Sequence, residues 1–232
     1  MKTLCWVLAR GYKGIDRIVQ VHDALEDLIE VRFENVSRQL VALPLGFAKE
    51  KSKYNTFHEL VLREWYDAAG RRCCRHGVYK FEVEYDRTGN GLRQTIHNYD
   101  KNGFSVADET GVAFIEQRYD GAYRFLSGKT LDAKGNPIAM KELGWAEVAL
   151  VRDEQGRITR VMAFDEKGKG AFVGFAGLEM SYSMAEDGSL RVSVIWFDAN
   201  GVKQGTKADV PYSSKEMTWL RNLSGMRYQR LR

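Results

Sequence analysis

Glycine recurs about every 33 residues along this chain of 232 residues. The glycines with this spacing are Gly14, Gly46, Gly77, Gly111, Gly144 and Gly177, and the intervals between them are 32, 31, 34, 33 and 33 residues. Periods of this length are typical of repeat proteins, which stack one supersecondary unit many times. The spacing therefore predicts a tandem array of about six repeats that begin near these glycines.

A D-x-x-G motif recurs within the repeats and gives a second, independent signal. The residues that form it include Asp67, Gly70, Asp86, Gly89, Asp153, Gly156, Asp165, Gly168, Asp198 and Gly201. An aspartate at the first position accepts hydrogen bonds from backbone N–H groups further along the turn. Glycine at the fourth position adopts a positive φ without a steric penalty. The motif therefore predicts type I turns followed by a bulge, which close β-hairpins, and a structural role for these residues.

Calcium binding is the functional alternative for these acidic turns. It requires six or more oxygen ligands around one point, and the chain has no D-x-D-x-D cluster that would supply them. We therefore interpret the aspartates as turn-forming residues.

The residues between the turns alternate with the period of a half-buried strand. After Gly77, the apolar residues Tyr79, Phe81, Val83 and Tyr85 alternate with charged ones. After Gly177 the alternation is shifted by one residue, which a one-residue deletion before the turn would explain. The strand after Gly46 is poorly patterned. Its basic residues Lys49, Lys51 and Lys53 are interpreted as a solvated face.

These patterns predict an all-β fold, an open β-meander or solenoid-like array of antiparallel hairpin repeats over residues 1–210. Each repeat is expected to have two well-marked strands and a third, weaker one. The repeat phase predicts a turn at Asp23–Glu26 rather than a helix, and a strand over Thr3–Ala9. Residues 211–232 depart from the pattern and are expected to form a C-terminal cap or a partial repeat.

Charge and hydropathy exclude some classes of partner. The 35 basic and 31 acidic residues give a net charge of +4, which is a mixed surface and not a nucleic-acid footprint. No apolar run is long enough to cross a membrane, and the one at the N-terminus is too short for a signal peptide. We expect no nucleic-acid partner and no membrane span, in a protein that is cytoplasmic or exported as part of a larger chain.

The residue types used in catalysis and metal binding do not form a recognisable pattern. Cys73, Cys74 and His76 are close in sequence, but zinc requires about four suitably spaced ligands. The three cysteines indicate reduced thiols, and the histidines lie outside any nucleophile–base motif. We expect no catalytic residue, no metal and no cofactor.

Many aromatic residues precede the turns, and two interpretations of them remain open. They would stack on their equivalents in adjacent repeats and form the core. Alternatively, some would line an exposed face that binds a peptide or a glycan. The candidate ligand contacts are Trp65, Trp145 and Trp196.

The segments WYDAAGRR (65–72), EYDRTGN (84–90), NYDKNG (98–103) and FDEKGK (164–169) resemble bacterial tandem YD repeats of the RHS type. The resemblance implies β-hairpin repeats with a structural role, which in RHS proteins spiral into a shell around a toxic cargo. The chain departs from that pattern because six repeats are too few to enclose a cargo and no autoproteolysis segment is present. The resemblance therefore extends only to the hairpin-repeat architecture.

The sequence thus predicts a non-enzymatic repeat scaffold or protein-interaction module of a bacterial protein, with a partner that it does not identify. Self-association through the open edges of the sheet is an additional expectation. One alternative is a carbohydrate-binding or carbohydrate-active protein that uses aromatic platforms. Another is a fragment of an RHS-type toxin-delivery shell.

Overall fold

A computed structural model of the protein describes residues 2–7, 14–87, 91–140, 144–170 and 176–218, with the backbone alone for residues 2–7. In chain order the strands are β1 (Lys2–Val7), β2 (Arg17–His22), β3 (Leu28–Glu34), β4 (Lys49–Tyr54), β5 (Leu60–Tyr66), β6 (Arg72–Cys73), β7 (Lys80–Asp86), β8 (Gly91–Tyr99), β9 (Phe114–Asp120), β10 (Phe125–Leu131), β11 (Glu147–Arg152), β12 (Ile158–Phe164), β13 (Gly177–Met184), β14 (Leu190–Phe197) and β15 (Lys203–Pro211). One turn of 3₁₀ helix follows at Lys215–Met217. The predicted all-β fold is confirmed.

The chain divides into two compact units. The first contains the described residues up to Glu84 together with Thr95–Phe114, and the second contains Tyr85–Gln94 together with the described residues from Ile115 onward. In the first unit the strand order is β1-β2-β3-β4-β5-β7-β8, with β6 paired to β5. In the second unit the order runs from β8 to β15 without a crossover. Neighbouring strands are antiparallel, which is the predicted open β-meander.

Where the hairpin turn lies within the described residues, the hairpins close through one turn geometry, which we call the five-residue turn. At Asp153 the backbone N–H donates to the Arg157 carbonyl at 2.9 Å, and the Gly156 N–H donates back to the Asp153 carbonyl at 2.8 Å. The register of β11 against β12 shifts by one residue beside this turn, which is the predicted bulge. The segment Asp23–Asp27 forms the same two bonds between β2 and β3, and it is the predicted turn and not a helix.

In the described part of the chain, β3, β8, β10 and β12 are followed by a short return segment where a third strand was expected, whereas β14 is followed by the full strand β15. After β3 the chain makes a second five-residue turn, and Leu40 then forms an isolated bridge with Glu34. A further turn follows, in which the Gly46 N–H donates to the Leu43 carbonyl and Gly46 has a φ of +89°. The return segment is too short for a full strand, because the next hairpin takes over the same edge of β3 from Ala48 onward. The periodic glycines Gly46 and Gly111 thus end the return segments.

Gly177, the predicted start of the sixth repeat, is the first residue of β13. The Ala146 N–H donates to the Phe164 carbonyl one turn before β11, and the Ala176 N–H makes the equivalent bond to the Phe197 carbonyl. The strands of the β13–β14 hairpin have eight residues each, whereas β11 and β12 have six and seven.

One face of the sheet forms the core of the second unit. Leu150, Val161, Leu178 and Trp196 lie opposite one another on four successive strands. The first three of these side chains are at most 5% exposed. The 3₁₀ helix adds Met217, which is 3% exposed, to the same cluster. The described part of the predicted C-terminal cap thus packs on the end of this core.

Tyrosine and arginine side chains at the ends of first strands link successive hairpins. The Tyr54 hydroxyl donates to the carbonyl of Leu28 at 3.1 Å, and the Tyr182 hydroxyl donates to that of Ile158 at 2.8 Å. Both carbonyls belong to the first residue of the second strand in the preceding hairpin. Arg152 makes the equivalent contact with the Phe125 carbonyl at 3.3 Å. We call these contacts interrepeat staples.

Replacing Gly70 tests the turn geometry without creating a clash. Gly70 has a φ of +77°, and an added Cβ would meet no atom within 4 Å. Gly70→Ala should therefore lower the free energy of unfolding by about 1 kcal/mol, through backbone strain alone. Gly70→Asn should lose less, because asparagine tolerates the left-handed region. Urea unfolding measures both variants, and equal losses for alanine and asparagine would contradict the assignment.

Removing one hydroxyl tests the interrepeat staple. Tyr182→Phe should lower the free energy of unfolding by about 1 kcal/mol, because the Ile158 carbonyl loses its donor while the ring packing remains. Tyr79→Phe serves as the matched control, since no hydroxyl hydrogen bond of Tyr79 is present in the described part of the chain. Thermal unfolding followed by circular dichroism gives the comparison. A loss that is no larger for Tyr182→Phe than for Tyr79→Phe would argue against the staple.

Candidate functional site

The predicted turn residues lie at the first and fourth positions of five-residue turns. The side-chain Oδ1 atoms of Asp67 and Asp153 accept a hydrogen bond from the fifth residue of their turns, and those of Asp165 and Asp198 accept from the third and the fifth. The glycines at the fourth positions have φ values of +77° at Gly70, +80° at Gly156, +73° at Gly168 and +76° at Gly201. Asp86 ends β7, and Gly89 lies outside the described residues.

These hydrogen bonds alter the acidity of the turn carboxylates. The backbone N–H of Arg71 is the main donor that lowers the pKa of Asp67, and the Arg71 side chain adds to it. The backbone N–H of Asn136 has the same effect on the pKa of Asp132. Donors favour the charged form of a carboxylate because they bind it more strongly than the neutral acid. The shifts follow from turn geometry, so they give no indication of a catalytic acid.

The tryptophans proposed as ligand contacts are engaged in packing. Trp65 is 3% exposed, and its indole N–H donates to a Glu50 carboxylate oxygen at 3.1 Å. Trp196 lies against Gly205 on the neighbouring strand, where an added Cβ would collide with the indole ring. Trp145 is half-buried against the core of the second unit. Trp65 is thus a core residue, and ligand contact by the other two stays a prediction.

Aromatic rings stack across the core face of the first unit. Phe33, Phe47, Trp65 and Phe81 form a row in which successive ring centroids lie 5.9, 6.5 and 5.8 Å apart. Their tilted and edge-to-face orientations are those that aromatic pairs prefer. These four rings therefore stack on one another in the core, which is the first of the two interpretations of the aromatic residues.

Cys73 and His76 have separate structural surroundings. Cys73 lies opposite Trp65, and burial raises the pKa of its thiol. His76 Nδ1 lies 2.9 Å from a carboxylate oxygen of Glu109. Cys74 follows Cys73 directly, and successive side chains of an extended backbone point to opposite faces. Within the described ranges, no three His, Cys, Asp or Glu side chains are grouped so as to hold a metal ion.

A buried polar network explains the poor patterning of β4. Arg63 Nε lies 3.1 Å from a Glu50 carboxylate oxygen, and the two side chains are only 17% and 16% exposed. The Arg63 guanidinium also lies over the Phe81 ring. Ser52 accepts a hydrogen bond from Arg63 at 3.4 Å. The core-facing positions of β4 are therefore polar, and the alternation that marks other strands is lost there.

The opposite face of the first unit carries a row of alternating charges. Glu30 on β3 lies opposite Lys51 on β4, Lys51 lies opposite Glu64 on β5, and Glu64 lies opposite Lys80 on β7. We call this the charge row. Opposite charges that face each other across strands stabilise a sheet, whereas like charges destabilise it. The row cannot be predicted from the sequence, because it depends on the pairing register, which the sequence of a single strand does not reveal.

Further polar side chains surround the charge row on the same face. Lys49 Nζ lies 4.8 Å from the Tyr66 ring centroid, and the Tyr66 hydroxyl donates to Glu64. We define the charged face by its residues on β3, β4, β5 and β7: Glu30, Arg32, Lys49, Lys51, Lys53, Leu62, Glu64, Tyr66, Lys80 and Glu82. The Lys51 side chain is 47% exposed. The Glu30 and Glu64 side chains are less exposed, at 20% and 12%, and Glu64 also lies 2.6 Å from an Arg72 guanidinium nitrogen.

Comparison with known proteins adds no family to this description. No protein-family model matches the chain, and no curated protein is significantly similar to it. Among the described residues, no helix is long and apolar enough to cross a membrane. The resemblance to RHS-type repeats therefore stays one of turn motifs.

The turn carboxylates predict how stability falls in acid. The folded pKa values of Asp67 and Asp132 are below the ordinary value of 3.8, so their contribution is present above that pH and is lost as the pH falls through the folded values. Replacing both by asparagine should make the acid loss of stability shallower. Asparagine fits the position, since Asn35 and Asn55 occupy it and accept the same backbone bonds.

Urea unfolding between about pH 5 and pH 2 measures this slope, because stability changes with pH wherever folded and unfolded proton affinities differ. The two-site variant should remain close to wild type near neutral pH. Identical acid slopes for the two proteins would contradict the role assigned to these carboxylates.

Proposed function

We propose that this chain is a non-enzymatic protein-interaction module whose binding surface is the charged face of the first unit. The observation that carries the proposal is the separation of the two faces of the sheet. One face holds the aromatic row and the other holds the charge row. Charges that alternate regularly across four strands fit a recognition role. The same face also contributes to the core at its β2 end, where Val19 and Val21 are buried.

The distribution of perturbed ionisable groups supports a non-catalytic role. In the described part of the chain, the resolved pKa shifts fall on turn aspartates, on tyrosines and on Cys73. Burial raises the pKa of Tyr182 to about 12, and this residue forms an interrepeat staple. Catalytic sites bring such groups together in a cleft. Here they are spread over repeated structural positions.

The packing of the tryptophans favours protein binding over glycan binding. A carbohydrate platform needs an aromatic face that is open to solvent. Trp65 is buried, and Trp196 lies against Gly205. The charged face instead offers lysines and glutamates within a few ångströms of each other, which give a protein partner specificity and a salt-dependent association rate.

Affinity capture with a matched variant tests the proposal. The binding variant replaces Lys49, Lys51 and Lys53 with serine, and the control variant replaces the exposed turn residues Lys134, Lys167 and Lys169 with serine. Both changes remove the same charge. A protein partner from the source organism should be retained by wild type and by the control, and its capture by the binding variant should fall at least tenfold. Equal capture by all three proteins would reject the charged face as the surface.

A further inference from the structure

The charges of the charge row alternate in an order that is inverted when the row is read from its other end. Read from β3 to β7 it is Glu30, Lys51, Glu64, Lys80, and read in reverse it begins with lysine and alternates in the opposite phase. A row of this kind is complementary to its own reversed copy. A two-fold axis reverses a row in this way, because residues of an isologous interface contact each other reciprocally.

We propose that the partner of the charged face is a second copy of this chain, bound face to face about a two-fold axis that runs along the strands between β4 and β5. This inference rests on the proposed function and names its partner. In this arrangement Glu30 lies opposite Lys80 of the second copy, and Lys51 lies opposite Glu64 of the second copy. Each of the four contacts in the row joins opposite charges.

The neighbouring positions of β4 and β5 are compatible with the same axis. Lys49 pairs with Tyr66 within the sheet, and Lys53 pairs with Leu62. Across the axis, Lys49 would therefore meet Tyr66 of the second copy, and Lys53 would meet Leu62 of the second copy. A lysine over an aromatic ring is an attractive contact, and Lys49 already makes one with its own Tyr66. No like charges face each other between these two strands.

The size of the face sets the expected strength of the association. Four strands at a spacing of about 4.8 Å, over about six residues each, cover roughly 400 Å² on each copy. Stable complexes bury about 800 Å² per partner, so the dimer should be weak. Its contacts are between charged groups that are partly exposed, and salt shortens the range of exposed charge contacts to about 8 Å at physiological ionic strength. Association should therefore be strongest at low salt.

Two single variants distinguish a contact between two copies from a role of the charge row within one copy. In K51E the new glutamate faces Glu64 of the second copy, and in E64K the new lysine faces Lys51 of the second copy. Each variant alone should self-associate at least tenfold more weakly than wild type. In an equimolar mixture, each variant supplies the charge that the other lacks, so association should return.

Sedimentation velocity at low salt and in about 0.5 M NaCl measures these differences, because charge contacts at the surface weaken with ionic strength. The control K167E changes an exposed turn lysine of the second unit and should associate like wild type. A mixture of K51E and E64K that remains monomeric, or single variants that associate as strongly as wild type, would overturn the proposal.

A variant with all four charges exchanged guards against the chance that the single variants fold poorly. E30K/K51E/E64K/K80E retains the alternation across all four strands, so its sheet keeps the three pairs of opposite charges in the row, while the ion pair of Glu64 with Arg72 on β6 is lost. It should self-associate like wild type yet fail to associate with wild type, which labelled proteins report by energy transfer. Free mixing with wild type would contradict the two-fold arrangement.

The two proposals fail in different ways. A wild-type chain that is monomeric at low salt, yet captures a different protein in a manner that depends on Lys49, Lys51 and Lys53, rejects the dimer and keeps the interaction module. A chain that neither self-associates nor captures a protein through this face rejects both.

Discussion

The five-residue turn, with its fourth residue in the left-handed region, is the constraint on which the rest of the structure depends. It closes hairpins, begins the return segments, ends two of them at residues 43–47 and 108–112, and places a bulge beside the hairpin turn. Aspartate or asparagine at its first position satisfies the backbone donors inside the turn. Glu26, Arg38, His58 and Tyr123 occupy its fourth position with positive φ values, so the geometry persists even without glycine. Because each turn fixes the register of the strands beside it, the turns determine which residues face the core.

The turns and most strands could be predicted from the sequence because their signals are local. A D-x-x-G motif specifies its own hydrogen bonds, and alternation specifies a face. The return segments could not be predicted, since their length is limited by competition with the next hairpin for the same strand edge.

The candidate surface was harder to predict than the fold, for a reason that lies in strand pairing. The lysines of β4 are visible in the sequence as a polar stretch, yet their partners Glu30 and Glu64 are distant in the chain. The row exists only because the register of three neighbouring strand pairs brings these residues into line. The polar core-facing positions of β4 could not be predicted for the same reason. Glu50 and Arg63 form an ion pair across strands, and the sequence around either residue does not indicate its partner.

The interrepeat staples have a consequence for how such a chain can change its length. Tyr54 and Tyr182 each bind a backbone carbonyl, which every residue has, and not a particular side chain. A duplicated or deleted unit would therefore find its partner on whichever hairpin came before it. The tyrosine is part of the duplicated unit, and the backbone carbonyl that accepts its hydrogen bond is present in any preceding unit without a further mutation. The contact between units thus requires no particular side chain in the preceding unit. During evolution the number of repeats can therefore vary while the surface residues of each repeat diverge.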